Sequence, residues 1–253
     1  MGGGFGSSPV DKGESRQEGN SPEVRPQIKE VKSSDACPCK SGAEYGDCCE
    51  RYHKLKGQLL PGTVEEAVRA RYSAYATGNA AYLVESTHPE HKDYKRHSES
   101  GARNPQKARK NWEKEIVSQN SEVFEFLKLE IVDTPKAPVV LDRGKHVGEN
   151  AATECISFRV LVRARGDGTI VPFQETALFT KLSGEALAAL ERPLALGISG
   201  KKKSGKPSSA LAEAEAVAYL YLRGEVGVMD EETTRRMVAE VPKYLSSSIR
   251  DQW

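Results

Sequence analysis

At 253 residues with 37 basic and 36 acidic side chains, the chain has almost no net charge, so nothing general draws it to nucleic acid or an anionic membrane. Hydrophobic residues make up 38% and charged residues 29%, which excludes a largely disordered chain while leaving room for a buried core. No apolar run reaches the roughly 18 residues of a spanning helix. The expectation is a soluble, intracellular, cytoplasmic protein, with a plastid or other organelle as the alternative.

Residues 1–34 are polar, with neither the apolar stretch of a secretory signal nor the acid-poor composition of a transit peptide, and read as a disordered arm. Gly2 invites N-myristoylation, but Gly6 stands where that motif needs Ser or Thr. Residues 35–60 hold four of the five cysteines, in "CPCKSGAEYGDCC". Cys37 and Cys39 stand one residue apart and Cys48 and Cys49 are adjacent, with Gly-containing turns between the pairs. Four thiolates suit Zn²⁺ held tetrahedrally at about 2.3 Å. Disulfides need an oxidising compartment that nothing in the sequence indicates, and the spacing is not the C-x-x-C of a redox pair. A site filled by four protein ligands is closed, hence structural rather than catalytic. His53 is the alternative ligand.

Thr63 and Glu66 have capping-box spacing and open a helix that Gly78 stops. A second helix is expected over Ala80–Ser86 and a third over Pro105–Gln119, with Pro105 in its first turn. Between them "HPEHKDYKRH" places His88, His91 and His97 at no ligand spacing and reads as a solvated loop. The apolar period then switches to alternation. Strands are expected over 123–132, with Leu127, Leu129 and Ile131 on one face, and over 152–165, with Ile156, Phe158, Val160 and Val162. A third, over 168–182, has Val171, Phe173, Ala177 and Phe179 on one face, interrupted by Glu175. "GDG" at 166–168 supplies a hairpin turn, and Cys155 reads as core. Helices followed by strands point to an α+β fold with helices on one face of a curved antiparallel sheet. Residues 199–209 read as a basic linker in which Lys201–Lys203 is solvated, and 210–253 as a helical extension. Its first helix covers "ALAEAEAVAYLYLRG" up to Gly224, and Asp230 caps its second.

The cysteine stretch resembles the SEC-C motif, the small zinc module at the end of a preprotein translocase motor, with Lys40 in place of a usual Gly. The following "EEAVRARYSAYATGNAAYLVESTHP" is similar to the block after that motif in the YchJ family, with Arg69, Arg71, Tyr72, Ser73, Ala74 and Tyr75 forming its core. The resemblance extends more faintly through Trp112, the three strands and Glu175. It implies a nuclear transport factor 2-like, cystatin-like middle domain over 61–198, a curved sheet wrapped by helices around a cavity. The family's aromatic-rich closing strand has no aromatic counterpart in "EALAALERPLALG".

Arg71, Tyr72, Tyr75, Trp112 and Glu175 are the cavity candidates, with Glu175 paired to Arg71 or Tyr72. The leading functional expectation is a non-enzymatic zinc-binding adaptor or scaffold, its middle domain holding a protein partner or a small ligand. A ribosome or chaperone surface is the kind of partner the resemblance implies. The competing class is a hydrolase or isomerase with Glu175 or His88 as base. Glu44, Asp47 and Glu50 beside the cysteines weigh against nucleic acid.

Overall fold

Thr63 accepts a hydrogen bond from the Glu66 amide while the Glu66 carboxylate takes the Thr63 amide, and the helix so capped, Val64–Thr77 (α2), is the element around which the molecule is arranged. The structure, a computed structural model, describes residues 28, 30–54, 60–101, 103–133, 153–183, 186 and 217–241. A single helical turn, Glu50–His53 (α1), follows the last cysteine. At its far end α2 stops on Gly78, whose φ of 68° is the left-handed conformation that glycine adopts at least cost. Ala80–Glu85 (α3), Lys92–Ser100 (α4) and Pro105–Ile116 (α5) follow, capped by Asn79, His91 and Asn104. A π-helical turn, Val117–Ser121, extends α5, and Ser121 Oγ donates to the Tyr75 carbonyl at 2.7 Å, tying it back to α2.

Four antiparallel strands then form one sheet in chain order: Phe124–Asp133 (β1), Thr153–Ala164 (β2), Ile170–Ser183 (β3) and Val217–Gly227 (β4). Gly168, at φ 79°, makes the β2–β3 turn. The helices cover one face, where Ile156, Val160, Ala177 and Phe179 join residues of α2, α3 and α5 in the main core. The other face carries a smaller core of Leu127, Leu161 and Ile170 against Met237 and Val241, held by the last helix, Glu231–Ala239 (α6), which Asp230 caps.

The structure corrects the sequence reading at three places. Residues 217–227 form a strand, not the end of a helix. Tyr219 and Tyr221 face the main core, while Ala218 and Leu220 pack on the other side with Leu60 and Leu182. That is a period of two, and it gives β3 its second hydrogen-bonded neighbour. With its two tyrosines, this strand places aromatic residues beside β3, which "EALAALERPLALG" does not offer. The linker 199–209 and the expected helix at 210–216 lie outside the described residues, as do 242–253, residues 1–27 and all of 187–198. Second, a bulge between Phe126 and Lys128 turns Leu127 to the face opposite Leu129 and Ile131, so those three do not share one side. Third, "HPEHKDYKRH" is not a solvated loop. Most of it is α4, which buries Tyr94 and His97 against Trp112, at ring centroid distances of 5.7 and 5.2 Å.

Candidate metal centre and adjoining cavity

The cysteine segment folds as a tight loop. Cys37 donates its amide to Ala43 and Tyr45 donates its amide to Asp35, while the Lys40 amide reaches the Cys37 carbonyl at 3.0 Å. These bonds return the chain on itself and bring the sulfurs of Cys37, Cys39, Cys48 and Cys49 within 4.8 Å of one another. Four ligands on about 2.3 Å bonds sit about 3.8 Å apart along the edges of a tetrahedron. Cys39 and Cys48 are 3.6 Å apart, and Cys48 and Cys49 3.8 Å, which matches those edges and is far beyond a disulfide bond. The donor set therefore suits a metal ion.

The electrostatics of the bare thiols point the same way. Hydrogen bonds from Cys37 and Cys49 hold the Cys39 thiol well below the usual range. Cys49 is pushed up, first by its bond to Cys37, and burial pushes Cys48 up to about 11. Crowded thiols cannot all ionise together, and a central cation removes that conflict. Ser41 Oγ lies 3.3 Å from Cys48 Sγ and Ser73 Oγ 3.6 Å from Cys37 Sγ, so hydroxyls from the turn and from α2 orient the sulfurs.

His53, the alternative ligand, is placed elsewhere. Its Nδ1 bonds the Tyr45 hydroxyl at 2.7 Å within the module and its Nε2 the Ala70 carbonyl of α2 at 2.8 Å, so both ring nitrogens are engaged away from the sulfurs. Burial lowers its pKa to about 4, which keeps the ring neutral. Arg69 adds a bond to the Cys39 carbonyl at 3.3 Å. Cys37, Cys39 and Cys49 consequently belong to the same buried cluster as the middle domain's core.

While Arg69 and Ser73 of α2 meet the thiol module, Val68, Arg71, Tyr72 and Tyr75 line a cavity of about 430 Å³ between the helix and the sheet. The i, i+3, i+4, i+7 spacing of this second set places it on one stripe of the helix. Phe124, Phe126, Phe158, Phe173 and Phe179 supply most of the opposite wall, with Glu175 and Tyr221 among them. The expected Glu175–Arg71 pair is indirect. The Tyr221 hydroxyl donates to Glu175 Oε1 at 3.0 Å, and the Arg71 guanidinium stacks on the Tyr221 ring at 4.4 Å. Burial raises the Glu175 pKa, against the opposing pull of the Tyr221 bond and the Arg71 charge. The Tyr72 ring borders the cavity, packed edge-on against Phe126, and does not bond Glu175.

Two sequence candidates fall outside this cavity. Trp112 is buried under α4 with Tyr94 and His97, and borders instead a second, more polar groove of about 800 Å³. His88 lines neither space; its Nδ1 accepts from the Glu90 amide at 3.1 Å and its amide donates to the Tyr221 carbonyl at 2.8 Å, which docks β4 onto the segment after α3. Conversely, Tyr221 and Gly224 are central to the site and were missed. A Cβ on Gly224 would stand 2.0 Å from Glu175 Oε1, so the bare glycine makes room for the carboxylate. The alternation of Tyr219 and Tyr221 with Leu220 and Leu222 was the signal that could have found them.

Comparison with known proteins agrees with this geometry. Residues 34–51 match the SEC-C motif, and residues 63–186 match the YchJ middle NTF2-like domain. Residues 63–186 are therefore similar to the middle domain of the YchJ family, behind a segment similar to the SEC-C motif. Among the similar curated proteins is a UPF0225 protein of Actinobacillus succinogenes, 45% identical over 53 residues, covering 21% of this chain and 33% of the relative. A UPF0225 protein of Corynebacterium glutamicum is 43% identical over 54 residues, 21% of this chain and 42% of that one. One from Photorhabdus laumondii is 44% identical over 57 residues, covering 22% and 35%. The chain thus matches roughly a third to two fifths of the length of these YchJ-family relatives. A crystal structure of a SEC-C motif containing protein from Psychrobacter arcticus aligns with 78% of this chain and 86% of its own, at a TM-score of 0.44 and 17% identity. That likeness is too slight to carry an argument. Among the described residues no helix is long and apolar enough to cross a membrane.

Proposed function

We propose that this chain is a non-enzymatic binding protein in which a structural Zn²⁺ is held by Cys37, Cys39, Cys48 and Cys49, and the middle domain holds a small ligand. The observation that carries the reading is the cavity of about 430 Å³, lined by aromatic rings and backed by the core that also packs the thiols. Its size falls within the ~300–1,000 Å³ common for small-molecule sites. Zinc is favoured by its donor set, since four thiolates at tetrahedral spacing complete its coordination and make the ion a clamp. An adaptor role toward a protein such as a chaperone or ribosomal surface would use the exposed rim at residues 40–44.

A second reading, a hydrolase or isomerase, is favoured by one observation: Glu175 borders the cavity and burial raises its pKa, the direction a general acid or base needs. His88 drops out of that reading.

Purified protein should carry about one zinc per chain, and Cys48→Ser and Cys49→Ser should each lose it. Naphthol, an uncharged fluorescent probe, should bind with one-to-one saturation, and Val160→Phe, which fills the cavity, should abolish binding. Unchanged zinc in both cysteine variants overturns the metal assignment. Absence of saturable binding by naphthol and by its carboxylate and amine analogues alike overturns the small-ligand reading, and turnover of an added ester or ketone that Glu175→Gln abolishes would favour the enzyme.

A further inference from the structure

Arg71 is 8% exposed, yet its partners are neutral. Nη1 donates to the Leu83 carbonyl at 3.2 Å, to Ser86 Oγ at 2.8 Å and to Thr87 Oγ1 at 3.2 Å, and one face of the guanidinium lies on Tyr221. Among the described residues no carboxylate forms an ion pair with it. Neutral oxygens and an aromatic face orient the charge without cancelling it, and a buried permanent cation is costly until an anion meets it. The three bonds leave through Nη1, and the Tyr75 hydroxyl, a further neutral group, also interacts with the guanidinium.

The position of Arg71 is as informative as its charge. Arg71, Tyr75, Asn120, Tyr221 and Val226 border both the apolar cavity and the polar groove beside it, so the guanidinium sits where the two spaces join. Phe124, Phe158, Phe173 and Val160 line the cavity and not the groove. Glu175 is the one acid on the cavity wall, and it does not make the site a cation receptor. A carboxyl can become neutral by taking a proton, whereas an arginine keeps its charge. The groove adds Glu90, Asp93 and Glu115 as well as Lys92 and Arg223, but among the residues that border both spaces Arg71 is the one that carries a charge.

We infer that the cavity takes an apolar monocarboxylate, an aromatic or medium-chain acid whose carboxylate meets Arg71 at the junction while its body fills the aromatic interior. This deepens the small-ligand reading above and rests on it. A compact, multiply charged ligand such as a phosphate ester would leave the aromatic interior unfilled, and an amine would be repelled by Arg71.

Fluorescence titration of the zinc-loaded full chain with naphthoate, naphthol and naphthylmethylamine tests the inference. Naphthoate should bind at least about tenfold more tightly than naphthol, the scale of a hydrogen bond to a charged partner. Arg71→Gln should bring naphthoate down to the affinity of naphthol, and Arg71→Lys should keep part of the gain, since it holds the charge but not the fork. Because Arg71 also anchors residues 83–87, Glu175→Gln provides a variant that spares that anchor: at a pH above the raised Glu175 pKa, where the wild-type carboxyl is charged, it should tighten naphthoate more than naphthol. Equal or weaker binding of naphthoate, or a preference for the amine, overturns the inference while naphthol binding leaves the small-ligand reading standing. If no probe binds, the reading itself falls.

Discussion

Lys40 has φ 62°, in the left-handed region, at the place where the SEC-C pattern usually has glycine. A side chain there costs about 1–2 kcal/mol, partly offset because glycine loses more freedom on folding. Lys40→Gly should therefore raise the stability of the metal-loaded chain by up to about 1 kcal/mol in urea denaturation. A loss of stability would mean that the lysine side chain makes a compensating contact. Glu175 makes a prediction of opposite character. Its folded pKa is raised above its ordinary 4.5, with Tyr221, Arg71 and the nearby Tyr75 the groups that face it. The folded state then binds more protons than the unfolded state above pH 4.5, so this group's contribution falls as pH rises from there to the folded pKa. Glu175→Gln keeps an acceptor for Tyr221 and removes the charge. Its melting temperature should gain on the wild type as pH rises through that range, and a gap that does not change with pH would show that the carboxyl titrates normally.

At the scale of elements, the legible parts were those encoded locally. The Thr63–Glu66 box, the Gly78 stop, Pro105 and Asp230 all stand where the sequence reading put them, because each acts within one helical turn. The four cysteines were equally legible, since their spacing and the turns between them close the loop. β4 was not. The Ala- and Glu-rich run before it favours helix, and only the free edge of β3, a partner distant in sequence, makes 217–227 a strand. The same dependence on a distant partner hid Gly224, which lies opposite Ala177 and beneath the Glu175 carboxylate. α4 was hidden because its buried face consists of Tyr94 and His97 rather than aliphatic residues. Gly224→Ala should cost on the order of 1–3 kcal/mol, the range for overpacking a filled site. Combining it with Glu175→Ala should recover part of that loss in a double-mutant cycle; strict additivity would mean that the two positions do not meet.

Across the whole molecule, α2 is shared. One face receives the thiol module through Ser73, Arg69 and the Ala70 carbonyl, and the other lines the cavity through Val68, Arg71, Tyr72 and Tyr75. His53, tilted against Tyr82 at a ring centroid distance of 4.7 Å, extends the first contact to α3. The SEC-C segment is therefore one wall of the middle domain's core rather than a tethered finger. Removing its metal should leave four crowded thiols against α2 and loosen the helix that carries Arg71. The central claim is that the ion stabilises the domain and not only its own loop. It is tested most directly by titrating the full-length chain with a chelator while following metal release and the near-ultraviolet circular dichroism of the middle domain's tyrosines together. The account predicts that about one metal ion leaves per chain and that the tyrosine signal is lost over the same chelator range. Metal release with the tyrosine signal unchanged would contradict it.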